Sequence, residues 1–173
     1  MRHVWRSLSI LSLSIVLFTL GCMGPGSQHS NARSSGEIKD SQKFTLQDIQ
    51  DHSISLESTL KQHKAVLLNF WATWCPPCRE EIPGLIKLQE TYKNRSFTIL
   101  GVDVGESQKK VASFAEKAGI NYPIVLDNDM KVAEAFQVFG VPTTFLISSE
   151  GKILGEYHGF TQELVEDVEK ALQ

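Results

Sequence analysis

Trp71-Ala72-Thr73-Trp74-Cys75-Pro76-Pro77-Cys78-Arg79-Glu80-Glu81-Ile82-Pro83 decides how the rest of the chain is read. It follows an apolar, strand-like run, Ala65 to Phe70, and opens a segment of helical character. Two cysteines with two residues between them therefore fall at a strand-to-helix junction. A thiol at a helix start faces unpaired backbone N–H groups and the positive end of the helix, both of which favour its thiolate. A second cysteine about one turn further on can attack a mixed disulfide formed by the first. Cys75 is thus the expected nucleophile and Cys78 the expected resolving thiol, and the implied chemistry is thiol–disulfide exchange. The spacing by itself also suits a structural disulfide or half of a metal site. Zinc needs four ligands, and only Cys22 and scattered histidines remain to complete such a set.

Toward the N-terminus, Arg2 and Arg6 precede an apolar stretch from Leu8 to Leu20, broken only by serines and a threonine, then Gly21 and Cys22. That run is short for a membrane span and suits the core of an export signal. Residues 1–21 are expected to be that signal. A small residue before a lone cysteine resembles a lipoprotein processing box, which makes Cys22 the expected lipidation site, although Thr19 stands where such boxes usually carry Leu. An uncleaved anchor with Cys22 unmodified, or ordinary cleavage nearby, is the competing reading. Met23 to Asp40 is rich in Gly, Ser, Asn and Gln, so residues 22–40 read as a flexible tether. Residues 41–173 are enough for one domain with one substantial core.

The composition, 42% apolar and 21% charged, suits a soluble globular domain. A formal charge of -3 with no basic block argues against a nucleic-acid partner. Three cysteines are too few to staple a fold, and a bridge over so short a loop constrains little of the unfolded chain. Export also removes the cysteines from the reducing cytosol, so a reducing role needs electrons supplied from elsewhere.

Along the chain, Phe44-Thr45-Leu46 and Ile54-Ser55-Leu56 predict a small hairpin at the sheet edge, and Ser58 to Gln62 one helical turn. Ala65 to Phe70 is apolar enough for a strand covered on both faces. A helix from about Cys75 to Tyr92 keeps Ile82, Leu85, Ile86 and Leu88 for burial, with a kink expected at Pro83. Phe97 to Val102 predicts the next strand. Val111, Phe114, Ala115 and Ala118 mark a helix stripe that Gly119 ends. Tyr122 to Leu126 reads as a shorter strand, and Val132, Ala135 and Phe136 as the buried side of a brief helix. Thr143 to Ile147 and Ile153 to Tyr157 are close enough to pair antiparallel, and Leu164, Val165, Val168 and Leu172 face inward from a last helix. The expected class is α/β, a mixed central sheet flanked by helices.

The segment Asn69 to Pro83 resembles the active-site signature of the thioredoxin superfamily, and within it the membrane-tethered extracytoplasmic thiol–disulfide oxidoreductases of the TlpA and ResA type. Gly101-Val102-Asp103-Val104-Gly105-Glu106-Ser107 is similar to that family's next strand and loop. Val141-Pro142-Thr143-Thr144-Phe145 resembles its cis-proline segment, and Gly151-Lys152-Ile153 the hairpin that follows. The likeness runs from about Gln42 to the C-terminus. It implies a thioredoxin-like fold with an N-terminal hairpin and an extra strand–helix element, here Lys109 to Val125. The chain departs from typical thioredoxins in carrying Asn69 where they have a buried Asp, and Pro76-Pro77 where they have Gly-Pro. The TlpA and ResA type places a Glu in the active-site helix, and Glu81 matches it.

What the resemblance implies for the site follows residue by residue. Glu81 is the expected proton relay to Cys78, whereas adjacent Glu80 points elsewhere and reads as a solvated carboxylate. Pro142 is expected to be cis and beside Cys75, holding the Val141 backbone open for a substrate peptide. Trp74 is expected in the apolar rim that receives the partner, and Trp71 in the core. His52, His63 and His158 lack ligand spacing. The expected partners are a disulfide-bearing substrate protein, a membrane thiol donor, and the membrane itself through lipid on Cys22 or an uncleaved anchor. Neither cofactor nor metal is expected, and the chain reads as a monomer. The implied role is reduction, on disulfides such as those of apocytochrome c or metal-site assembly proteins. Running the same pair as an oxidase or isomerase is the nearest alternative, and a tethered, non-enzymatic adaptor is the other.

Overall fold

The computed structural model describes residues 36–173, which open on backbone pairing. Ile38 N donates to Gly151 O at 2.8 Å, Ile153 N donates to Gly36 O at 2.7 Å, and Glu37 bridges Lys152. Residues 36–40, which the composition assigns to the tether, are therefore hydrogen-bonded to the folded unit. A strand edge offers N–H and C=O groups that pair regardless of side-chain chemistry, so a polar sequence hides such an attachment. Gly151 (φ +83) adds room: a Cβ there would lie 3.0 Å from Ile38 Cγ1. The export signal expected over 1–21, Cys22 and the rest of the tether lie outside the described residues. Among the described residues no helix is long and apolar enough to cross a membrane.

After a 3-10 turn over Asp40–Gln42, strands β1 (Thr45–Gln47) and β2 (Ser53–Ser55) pair antiparallel as a separate two-stranded sheet. The Asp48 carboxylate closes their turn, accepting from Gln50 N at 2.7 Å and His52 N at 2.8 Å. Leu56, expected at the end of the second strand, instead opens helix α1 (Leu56–Gln62). Ser55 Oγ caps that helix by accepting from Ser58 N, and Leu56 and Leu60, four residues apart, are both buried.

The main sheet has strand order β5-β4-β3-β6-β7, with β3 Ala65–Trp71, β4 Phe97–Val104, β5 Ile124–Asp127, β6 Thr143–Ser148 and β7 Ile153–Tyr157. β3, β4 and β5 run parallel, while β6 is antiparallel to both β3 and β7. All seven residues of β3 are buried. Strand alternation divides them: Val66, Leu68 and Phe70 join Leu56, Leu60, Phe136 and Phe145 on one face, and Leu67 and Trp71 join Leu85, Val111 and Leu164 on the other. Parallel neighbours need crossover connections, and α2 (Pro76–Tyr92) and α3 (Gln108–Ala118) supply them. α2 runs as one helix through Pro83. α3 ends at Gly119 in the left-handed conformation (φ +68), as expected, and α3 with β5 forms the helix and strand read over Lys109 to Val125.

The short helix α4 (Lys131–Ala135) departs from its expected stripe: Val132, Ala133 and Phe136 are buried and Ala135 only half so. Asp127 explains the difference. Its carboxylate accepts from Val132 N at 3.1 Å and Ala133 N at 2.8 Å, which draws those two residues against the sheet. Five residues are too few for a helical stripe to override that anchor. Helix α5 (Gln162–Ala171), capped by Thr161, buries Leu164 and Val168 over the opposite face. The result is the α/β arrangement read from the sequence, a mixed sheet between helices with an N-terminal hairpin.

Candidate active site

Cys75 is the N-cap residue of α2, with Pro76 and Pro77 filling the first two helical positions, where a missing N–H costs nothing. Cys78 N donates to Cys75 Sγ at 3.2 Å, so the sulfur takes one of the helix's free donors. The two cysteines form a disulfide, their Cα atoms 5.3 Å apart. The nucleophile is less accessible than a helix-tip position implies: Cys75 is 2% exposed and Cys78 fully buried. As an N-cap its side chain folds back over the first turn, the bridge holds it against a buried partner, and Val141 O lies 3.5 Å from Sγ. Trp74, by contrast, is 61% exposed beside it.

The Val141–Pro142 peptide is cis, as the resemblance implies. It leads directly into β6, and Thr143 Oγ1 donates to Gly140 O at 2.7 Å, holding the approach to the strand. Clefts flank this segment on two sides. One of about 860 Å³ is bordered by Pro77, Phe139, Pro142 and His158, and one of about 670 Å³ by Trp74, Met130, Phe139 and Val141. Phe139, 97% exposed, stands between them. In sequence a phenylalanine near a helix end reads as core, and only the folded chain exposes it.

Glu81 lies one turn beyond Cys78 and is 5% exposed. Asn69 Nδ2 donates to Glu81 Oε1 at 2.8 Å and to Thr144 Oγ1 at 2.9 Å. Asn69 and Thr144 are register partners on β3 and β6, so the sheet itself sets that amide's position. Burial raises the Glu81 pKa to about 7, and the Asn69 hydrogen bond opposes the rise. Burial and the nearby Glu81 charge push the Tyr122 hydroxyl upward as well. Glu80 is exposed, as expected of a solvated carboxylate, and Arg79 lies over the Phe114 ring.

A second acidic group lies in the strand and loop from Gly101 to Ser107. Glu106 accepts from Thr73 N at 2.5 Å and Thr73 Oγ1 at 2.8 Å, and pairs with Lys110. Asp103 beside it is fully buried. A usable signal was the acid ending the apolar run Phe97 to Val102, on the same strand face as Phe97 and Ile99. Among the described residues no three His, Cys, Asp or Glu side chains converge as a metal site.

A helix-capping redox disulfide beside a cis-prolyl strand entry, on a mixed sheet with helices on both faces, defines a thioredoxin-like thiol–disulfide oxidoreductase. Residues 39–155 match the AhpC/TSA family, and the chain belongs to it. It is similar to the thiol-disulfide oxidoreductase ResA of Bacillus subtilis, at 37% identity over 156 residues, covering 90% of this chain and 86% of that one. ResA of Halalkalibacterium halodurans is 33% identical over 168 residues, covering 96% and 93%. Among solved structures, a thiol:disulfide interchange protein of the thioredoxin family from Chlorobium tepidum is 30% identical with a TM-score of 0.68, covering 82% of this chain and 97% of that one. The thioredoxin domain of a thiol-disulfide oxidoreductase from Bacteroides vulgatus is 29% identical with a TM-score of 0.70, covering 80% and 99%. The chain is therefore a protein thiol–disulfide oxidoreductase.

Proposed function

We propose that this protein works outside the cytoplasm, held to a membrane through Cys22, and reduces disulfides of specific partner proteins through the Cys75–Cys78 dithiol. Apocytochrome c and metal-site assembly proteins are the substrate class that the family likeness favours. The observation carrying the proposal is that Cys75 Sγ accepts from Cys78 N at the start of α2 while facing Val141 O of the cis peptide. The first contact stabilises a thiolate. The second sets the sulfur beside an extended backbone along which a partner segment can pair.

In the reduced enzyme, the Cys75 thiolate attacks one sulfur of the partner disulfide. The Cys75–partner S–S bond forms, the partner bond breaks, and the other partner sulfur leaves as a thiolate that takes a proton. Cys78 then loses its proton to Glu81 and attacks Cys75 Sγ. The partner's second thiolate departs, and the Cys75–Cys78 disulfide carries the two electrons' worth of oxidation. A pKa near 7 suits Glu81 to accept and return that proton at neutral pH. Trp74, Val141 and Pro142 form the receiving surface, and a membrane-embedded thiol donor restores the dithiol.

A Cys78→Ala variant tests the reading, because it stalls the cycle at the mixed disulfide. Expressed in intact cells, it is expected to accumulate covalent adducts that reducing agent dissolves and that a further Cys75→Ala change abolishes. The proposal fails if no adduct forms and the reduced wild type leaves insulin disulfides intact.

A further inference from the structure

Beneath the Thr73–Cys75 turn lies a group to which the redox cycle gives no task. Asp103, on β4, is 0% exposed, and neither of its carboxyl oxygens accepts a hydrogen bond of good geometry, although the Glu106 backbone N–H is close enough to favour its charged form. The polar side chain it faces is the carboxyl of Glu106. Glu106, 7% exposed, grips the backbone N–H and the hydroxyl of Thr73, two residues before the nucleophile. A buried carboxylate whose neighbour is another carboxylate is intelligible in one form: one of the two keeps a proton and donates it to the other.

We propose that Asp103 and Glu106 act as one acid pair with a single shared proton, and that this pair positions the Thr73–Trp74–Cys75 turn from below. Asp103 O–H donates to Glu106, which leaves the remaining Glu106 lone pairs for Thr73 N–H, Thr73 O–H and Lys110. The neighbouring elements support that assignment of the proton. Lys110 on α3 pairs with Glu106. Despite burial, Lys110 and the Thr73 donors hold Glu106 below its usual pKa, whereas burial, the hydrogen bond to the Glu106 carboxyl and its charge push Asp103 up to about 8 against the opposing Glu106 N–H and Lys110. β3 sets Trp71, whose indole N–H has no partner, in register with Asp103, and β5 sets Leu126 there. Arg79 of α2 lies over the Phe114 ring. When the shared proton leaves, two anions face each other in the core, and the grip on Thr73 is the contact free to loosen. Asp103 is thus a positioning residue for the nucleophile's turn.

The test uses the full chain in its disulfide form, in which neither cysteine titrates. The Thr73 amide resonance is followed against pH in wild type and in Asp103→Asn, which preserves shape and donates an N–H to Glu106 at every pH. In wild type the resonance is expected to titrate with a midpoint near 8, and in Asp103→Asn to lose that transition. A flat wild-type resonance overturns the proposal, as does a transition that survives in Asp103→Asn. A second readout is the rate at which dithiothreitol opens the disulfide. The variant-to-wild-type ratio is expected to rise roughly two- to five-fold between about pH 6 and about pH 9, the effect of one added charge near the attacked sulfur. A ratio constant with pH overturns the link to the nucleophile. The inference rests on the thiol–disulfide reading only for this second readout. The resonance measurement needs no partner and stands or falls separately.

Discussion

Glu81→Gln removes a titrating group and leaves an amide oxygen for Asn69 Nδ2 to meet. In the folded protein the carboxyl is buried and its pKa rises from 4.5 to about 7. The unfolded chain releases that proton near 4.5, so between the two values the folded state holds a proton the unfolded state has lost. Stability from this group is therefore fully present below about 4.5, declines as pH rises, and is gone once pH passes about 7. At ~1.4 kcal/mol per pH unit the interval amounts to about 3 kcal/mol. At 5% exposure, solvent does little to reduce that figure. Urea unfolding of the oxidised proteins measures it. Wild-type stability minus Glu81→Gln stability is expected to fall by about 3 kcal/mol between about pH 4 and about pH 8, with the other titrating groups cancelling in the difference. A difference that stays constant would refute the burial argument. In the same variant, release of the mixed disulfide is expected to slow and to lose its inflection near 7. An unchanged pH–rate curve would remove Glu81 from proton transfer.

Three further outcomes follow from the same contacts. Asn69→Asp replaces the donor shared by Glu81 and Thr144 with an acceptor, so denaturant unfolding at neutral pH is expected to show a loss of about 1–3 kcal/mol that acidification relieves. Gly155→Ala puts a methyl group into the Tyr157 hydroxyl, which donates to Asp167 Oδ2 at 2.9 Å; displacing that ring is expected to cost about 1–3 kcal/mol in a thermal melt. Reducing the Cys75–Cys78 bond opens a loop of sequence separation 3. Its loss is expected to cost about 2 kcal/mol or less, so a collapse of the fold on reduction would show that the bridge is structural.

The site was legible where chemistry depends on neighbours in sequence. Cys75, Cys78 and the helix they start share one local frame, so their placement at a strand-to-helix junction, rather than the spacing alone, indicates their order of action. The cis state of Val141–Pro142 and the choice of Glu81 over Glu80 rest on likeness to a family; the backbone shows the cis bond, and Glu81 is buried while Glu80 is exposed. The covering of Cys75 was not legible, because Val141 reaches its sulfur from sixty-six residues away. Asp103 likewise reads as an ordinary acid after a strand until β3, β5 and α3 close around it.

By itself the sequence determined the strands and helices, the mixed α/β class and the dithiol at a helix start, because periodicity, turn residues and cysteine spacing act over a few residues at a time. The tertiary structure alone decided which acids lose their water, how residues 36–40 attach to the sheet edge, and which carbonyl faces the nucleophile. Those outcomes depend on atoms brought together from distant parts of the chain. Desolvation and hydrogen-bond geometry, which set the pKa values of Glu81 and Asp103, exist only once those atoms are packed.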